Sequence, residues 1–201
     1  MTSDTLDLLR YQINKCHACP LGDMRDANDT RAVPAEAGDN YHPGGLAIFA
    51  EAPGAKEALV GRPMVGAAGD QLNELLDYVG LSRDKVVIIS RVRGRPPNNK
   101  IKSKEGVAAI AGCDPWVRAE LDAYNPGVVL LMGATALELV FGKNPAVGKL
   151  RGSLRATGPE FAYGERLWVA TAHPAAVLHG DPHWLPLIMQ DMALAKGLLS
   201  A

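Results

Sequence analysis

Four short apolar runs stand out along the chain: Leu46–Ala50, Val86–Ser90, Val128–Met132 and residues 167–171. None alternates apolar with polar, the pattern of a strand with one wet face. Short unbroken runs rich in β-branched residues read instead as strands buried on both faces. Between them the spacing changes. Leu72, Leu75, Leu76 and Val79 share one face of a helix predicted over residues 69–79. Further helices are predicted over residues 3–15, 104–124, 134–141 and 185–199, the second of these interrupted near Pro115. Residues 22–45 are polar with Gly and Pro, and read as an ordered loop wrapping the domain. Strands separated by helices require crossovers. The prediction is an α/β fold, a three-layer α/β/α sandwich around a central four-stranded parallel sheet. No linker or repeat interrupts it, so residues 1–201 are expected to form a single domain. Residues 1–45 supply an amino-terminal helix, a CxxC segment and the wrapping loop.

Composition narrows the picture. A chain of 201 residues that is 47% hydrophobic can bury one sizeable core, and with aromatics at 5% that core must be aliphatic. Lys and Arg number 21 against 22 Asp and Glu, so any attraction to nucleic acid must come from a local patch. No apolar run approaches the ~18 residues of a membrane span. The first residues, MTSDTLDLLRYQINKC, lack a signal-peptide layout. A cytoplasmic monomer with no membrane partner is expected. Three cysteines, an odd number in a reducing compartment, argue against a disulfide framework.

The chemistry collects where the strands end. Glu51 follows the first run, Ser90 closes the second and His173 follows the fourth. In an open parallel sheet these carboxyl ends face one crevice. Two loops too rich in Gly and Pro for helix, residues 51–54 and 61–66, shape the same edge. Common nucleotide and hydrolase motifs fail here. No GxGxxG follows the first run, and Gly142 to Lys149 has the wrong spacing for a P-loop. There is no HExxH, and neither Ser90 nor Ser153 sits in a nucleophile elbow. Beside the crevice Arg91, Arg93, Arg95, Lys100, Lys102 and Lys104 place six positive charges within fourteen residues, stiffened by Pro96 and Pro97. That loop reads as a phosphate-contacting edge.

Taken in order, several segments resemble the family-4 uracil-DNA glycosylases, the iron–sulfur branch of the uracil-DNA glycosylase superfamily. They are Cys16-x-x-Cys19-Pro20-Leu21, Glu51-Ala52-Pro53-Gly54 and Gly61-Arg62-Pro63-Met64-Val65-Gly66-x-x-Gly69. Arg95-Pro96-Pro97-Asn98-Asn99, Cys113, Gly133-Ala134-Thr135-Ala136 and His173-Pro174-Ala175-x-x-Leu178 continue the match over nearly the whole chain. The resemblance implies a hydrolytic DNA glycosylase of base-excision repair, acting on uracil or another deaminated base flipped out of DNA. It implies that His173 donates a hydrogen bond to the departing base and that Glu51 holds the water. Ala52, Pro53, Gly54, Met64 and Ser90 would line the base pocket. Arg91, Arg93, Arg95, Pro96 and Lys100 would contact DNA, with Leu178 as the wedge filling the vacated stack. No pocket lysine suggests a Schiff base, since Lys56 reads as solvent-facing.

Three positions depart from the family pattern. Ala50 stands for a Gly, Met64 for a Phe that stacks on the base, and Ser90 for an Asn that reads uracil's amide edge. An amide donates and accepts at once, whereas a hydroxyl makes fewer bonds. Weaker or altered base selectivity is therefore expected. The alternative is a protein of this fold that binds damaged or abasic DNA and excises little. The family also carries a [4Fe–4S] cluster on four Cys. Cys16, Cys19 and Cys113 match, while Gly94 stands at the remaining position. Three thiolates leave one iron to water or to a neighbour such as His17, and leave a three-iron cluster, zinc or loss of the cluster as alternatives.

Overall fold

The computed structural model of the protein describes residues 3–178 and 180–200. After α1 (Ser3–Asn14) and α2 (Pro20–Ala27) come the short β1 (Glu36–Ala37) and the first apolar run, β2 (Leu46–Ala50). Helices α3 (Ala55–Val60) and α4 (Ala67–Tyr78) lead to β3 (Val86–Ser90), and α5 (Lys104–Tyr124) leads to β4 (Val128–Met132). Then follow α6 (Ala134–Phe141), α7 (Val147–Leu150), β5 (Leu154–Thr157) and β6 (Arg166–Thr171). The described chain closes with α8 (Ala175–Leu178) and α9 (Trp184–Gly197).

The sheet order is β1-β3-β2-β4-β6-β5. Its four inner strands are parallel, and β1 and β5 pair antiparallel at the edges. Every residue of β2, β3 and β4 is buried. Alternate side chains go to opposite faces. Leu46, Ile48, Val86, Ile88, Val128 and Leu130 pack against Leu72, Leu75 and Leu76 of α4 and Ile188 and Met192 of α9. Ala47, Phe49, Val87, Ile89, Val129 and Leu131 meet Val117 and Leu121 of α5 and Leu137 and Val140 of α6. This two-sided burial explains why the runs do not alternate.

The α/β class is as expected, and the sheet has six strands rather than four. Residues 22–45 are more than a loop, since they contain most of α2 and all of β1. Helix α5 runs unbroken through Pro115. Its stripe of Ala109, Cys113, Val117 and Leu121 is buried, which offsets the one ladder bond that the proline removes. Among the described residues no helix is long and apolar enough to cross a membrane.

Candidate active site

The carboxyl ends of the four parallel strands open onto one cavity of about 430 Å³. Glu51 enters it from the end of β2, Ser90 from β3, Gly133 from β4 and His173 from the segment after β6. Ala52, Pro53, Gly54 and Met64 also line it. All seven residues expected at the catalytic centre and base pocket therefore face the same space.

One hydrogen bond each holds Glu51 and His173 in place. Thr135, in the first turn of α6, donates its hydroxyl to Glu51 Oε2 at 2.5 Å. The Ala175 backbone N–H donates to His173 Nδ1 at 3.1 Å. An imidazole accepting at Nδ1 carries its proton on Nε2 when neutral. The ring is thus prepared as a donor through Nε2.

The loop bearing Met64 is clamped from both sides. Arg83 donates from Nη1 to the Met64 carbonyl at 2.8 Å and from Nη2 to the Pro63 carbonyl at 2.6 Å. On the other side Glu57 Oε1 accepts from the Val65 and Gly66 N–H groups at 2.8 and 2.7 Å. Gly66 is the N-cap of α4 and brings no side-chain acceptor, and Glu57, from the neighbouring α3, instead holds the N–H of the cap residue itself. Met64 itself has φ of 50°, a left-handed conformation costing roughly 1–2 kcal/mol for a non-glycine residue. Gly69 is required beneath it, because a Cβ there would stand 1.9 Å from the Met64 carbonyl oxygen. Arg83 and Glu57 carry no signal in the sequence, and Thr135 stands there only within the Gly133-Ala134-Thr135-Ala136 segment, with no role attached. That segment follows a strand end on the same edge, which is what brings Thr135 to Glu51.

The basic loop divides. Arg95, Lys100, Lys102 and Lys104 are exposed, with Pro96 buried beneath them. Arg91 and Arg93 are not available to phosphates. Arg91 pairs with Asp114 at 2.9 Å, and Arg93, only 3% exposed, pairs with buried Glu120. Arg93 also donates to the Ser90 carbonyl, so it buttresses the pocket floor from within. Burial opposes the charge on Asp114, but Tyr163, Arg118 and Arg91 together hold its carboxyl below the ordinary range. Leu178, at the end of α8, is 46% exposed.

The three cysteines come together away from this cavity, between the α1–α2 connection and α5. Cys16 Sγ accepts from the Trp116 indole N–H at 3.1 Å and from the Ala18 N–H at 3.4 Å. Cys113 Sγ accepts from the Arg93 N–H at 3.4 Å. Cys19 and Cys113 interact thiol to thiol, which lowers Cys19 to about 6 against the opposing effect of its burial. The space they line with Gly94 and Leu21 is about 20 Å³. That is room for about one water, and a [4Fe–4S] cluster does not fit it.

Comparison with known proteins agrees with the geometry. The profile of the Uracil DNA glycosylase superfamily matches residues 42–192. The chain is 32% identical over 198 residues to the Type-4 uracil-DNA glycosylase of Thermotoga maritima, covering 98% of this chain and 95% of that protein. For the Type-4 uracil-DNA glycosylase of Saccharolobus solfataricus the identity is 32% over 204 residues, covering 98% and 88%. For that of Pyrobaculum aerophilum it is 34% over 199 residues, covering 96% and 93%.

Proposed function

Because the chain belongs to the uracil-DNA glycosylase superfamily, we propose that it hydrolyses the N-glycosidic bond of uracil, or another deaminated base, flipped out of DNA into the cavity. The observation that carries this reading is the meeting of Glu51, Ser90 and His173, at the ends of separate strands, around one space large enough to admit a nucleobase. As the bond breaks, its electron pair leaves with the base and positive charge develops at the sugar C1′. His173 donates from Nε2 to the base oxygen where negative charge grows. Glu51, with one oxygen held by Thr135, orients a water for C1′. The water oxygen bonds to C1′, and one of its protons ends on the departing base. Lys56 is exposed and outside the cavity lining, which supports hydrolysis without a lyase step. Arg95 and Lys100 contact backbone phosphates beside Pro96, and Leu178 enters the stack as the base leaves. The same reading carries a cytoplasmic monomer whose partner is DNA.

The pocket wall carries the selectivity. Met64 offers a polarisable contact but no flat face, and an aromatic there is worth ~1–3 kcal/mol of stacking. Ser90 offers one buried hydroxyl where an amide would both donate and accept. Selectivity for uracil is accordingly reduced. Oligonucleotides carrying uracil, hypoxanthine or xanthine, single- and double-stranded, test this by base release. The combined change Ser90→Asn and Met64→Phe is expected to raise uracil excision about tenfold or more, from the stacking contribution alone. No gain would place the limitation outside these two positions. The hydroxyl at Ser90 also favours a second reading, a binder of damaged or abasic DNA. Tight abasic-site binding with no base release from any oligonucleotide would select it.

A further inference from the structure

The cysteine cradle is where the structure parts from what the resemblance implies. We propose that this chain has replaced the iron–sulfur cluster by direct packing: Cys16, Cys19 and Cys113 form a metal-free thiol node that fastens the amino-terminal segment to α5. Amide N–H···S bonds such as those at Cys16 and Cys113 would suit cluster ligands as well. Space and ligand supply decide the matter.

Four irons and four sulfides must lie between the ligand sulfurs of a cubane. Here the Cys19 and Cys113 thiols face each other directly, and the remaining cavity is about 20 Å³. Neither Gly94 nor His17 can supply a fourth side-chain ligand. Gly94 has no side chain, and a Cβ built there would stand 2.8 Å from Leu21 Cβ. Leu21 is buried and belongs to an apolar cluster with Val92, Ile101, Ala109 and Cys113. The imidazole of His17 is committed elsewhere, with Nδ1 at 2.9 Å from Asp23 and Nε2 at 3.3 Å from Asp26. A single ion fares no better. Among the described residues no three His, Cys, Asp or Glu side chains are grouped so as to hold a metal.

The node has its own means of cohesion. A Cβ at Gly112 would stand 3.1 Å from Cys19 Cβ, so the CxxC segment lies directly on α5. The Trp116 indole reaches across from α5 to Cys16. The buried Cys113 behaves as a small apolar group that accepts a weak hydrogen bond, which is what packing with Leu21 and Val92 requires, and the half-buried Cys19 packs against the same cluster.

Where a metal closes a site, its binding energy is folding energy, and chelation unfolds the protein. The test therefore uses the full chain, purified anaerobically and then treated with ferrous iron plus sulfide, with zinc chloride, or with a chelator. The expected result is folded protein with sub-stoichiometric metal and no visible iron–sulfur absorption. All three thiols should titrate after unfolding, and neither metal nor chelator should move the melting temperature. One cluster or one zinc per chain would overturn the proposal. So would a melting temperature that rises on reconstitution, or unfolding on chelation. These measurements involve no DNA, so their outcome is separate from that of base release.

Discussion

At the residue scale the proposed chemistry rests most heavily on His173. Its Nδ1 is occupied as an acceptor by the Ala175 N–H, so Nε2 is the atom that can donate to the base. Replacing His173 by Ala removes one donor aimed at developing negative charge. The expected loss is ~10²–10³-fold in base release, read in single-turnover experiments with uracil-containing oligonucleotide. Loss below tenfold would mean another group carries the leaving-base charge. Asp114 supports a different kind of prediction. Its folded-state pKa is lowered, so the stability it contributes is complete above the unfolded value of about 3.9 and is lost as pH falls through the folded one. Asp114→Asn should therefore be less stable than wild type at neutral pH, and the gap should close in urea titrations below about pH 4. Residues of these two kinds were not equally legible in the sequence. Glu51 and His173 follow apolar runs directly, and strand ends point to a common edge. Arg91 and Arg93 were misread because charge along a chain says nothing of partners. The carboxylate facing Arg93 lies 27 residues away, on another element.

At the scale of elements, the buried strands were legible because both faces are apolar, and the edge strands were not. Strand β5 is largely exposed and reads Leu-Arg-Ala-Thr, while β1 has two residues, so neither leaves an apolar run. The same limit hid the clamp on the Met64 loop, since Arg83 and Glu57 reach backbone atoms that no sequence pattern marks. That clamp is what keeps a methionine at φ of 50° against the base pocket. Arg83→Gln removes two charge-assisted bonds to loop carbonyls, at a cost of about 2 kcal/mol in stability. The variant should show faster amide exchange at Val65 and Gly66, and a KM for oligonucleotide that rises more than kcat falls. Unchanged exchange at those amides would show that Glu57 alone holds the loop.

At the scale of the whole molecule, one buried residue joins three regions. Arg93 donates its backbone N–H to Cys113, one guanidinium nitrogen to the Ser90 carbonyl and another to Glu120. Glu120, 1% exposed, in turn accepts from the Ala35 N–H at 2.7 Å. The thiol node, the pocket floor and the wrapping segment before β1 thus meet at Arg93, and its ion pair with Glu120 joins the last two. Removing a single partner strands a buried charge, so Glu120→Gln should cost about 3–5 kcal/mol and lower the melting temperature by roughly 10 °C. Replacing both partners by apolar residues of similar volume is often neutral. The double change Arg93→Met with Glu120→Leu should therefore recover most of that stability. It also removes the guanidinium bond to the Ser90 carbonyl, so base release should stay impaired although the fold is restored. That divergence between melting temperature and base release would identify Arg93 as a positioning residue for the pocket floor. Recovery of both together would confine its role to holding the fold.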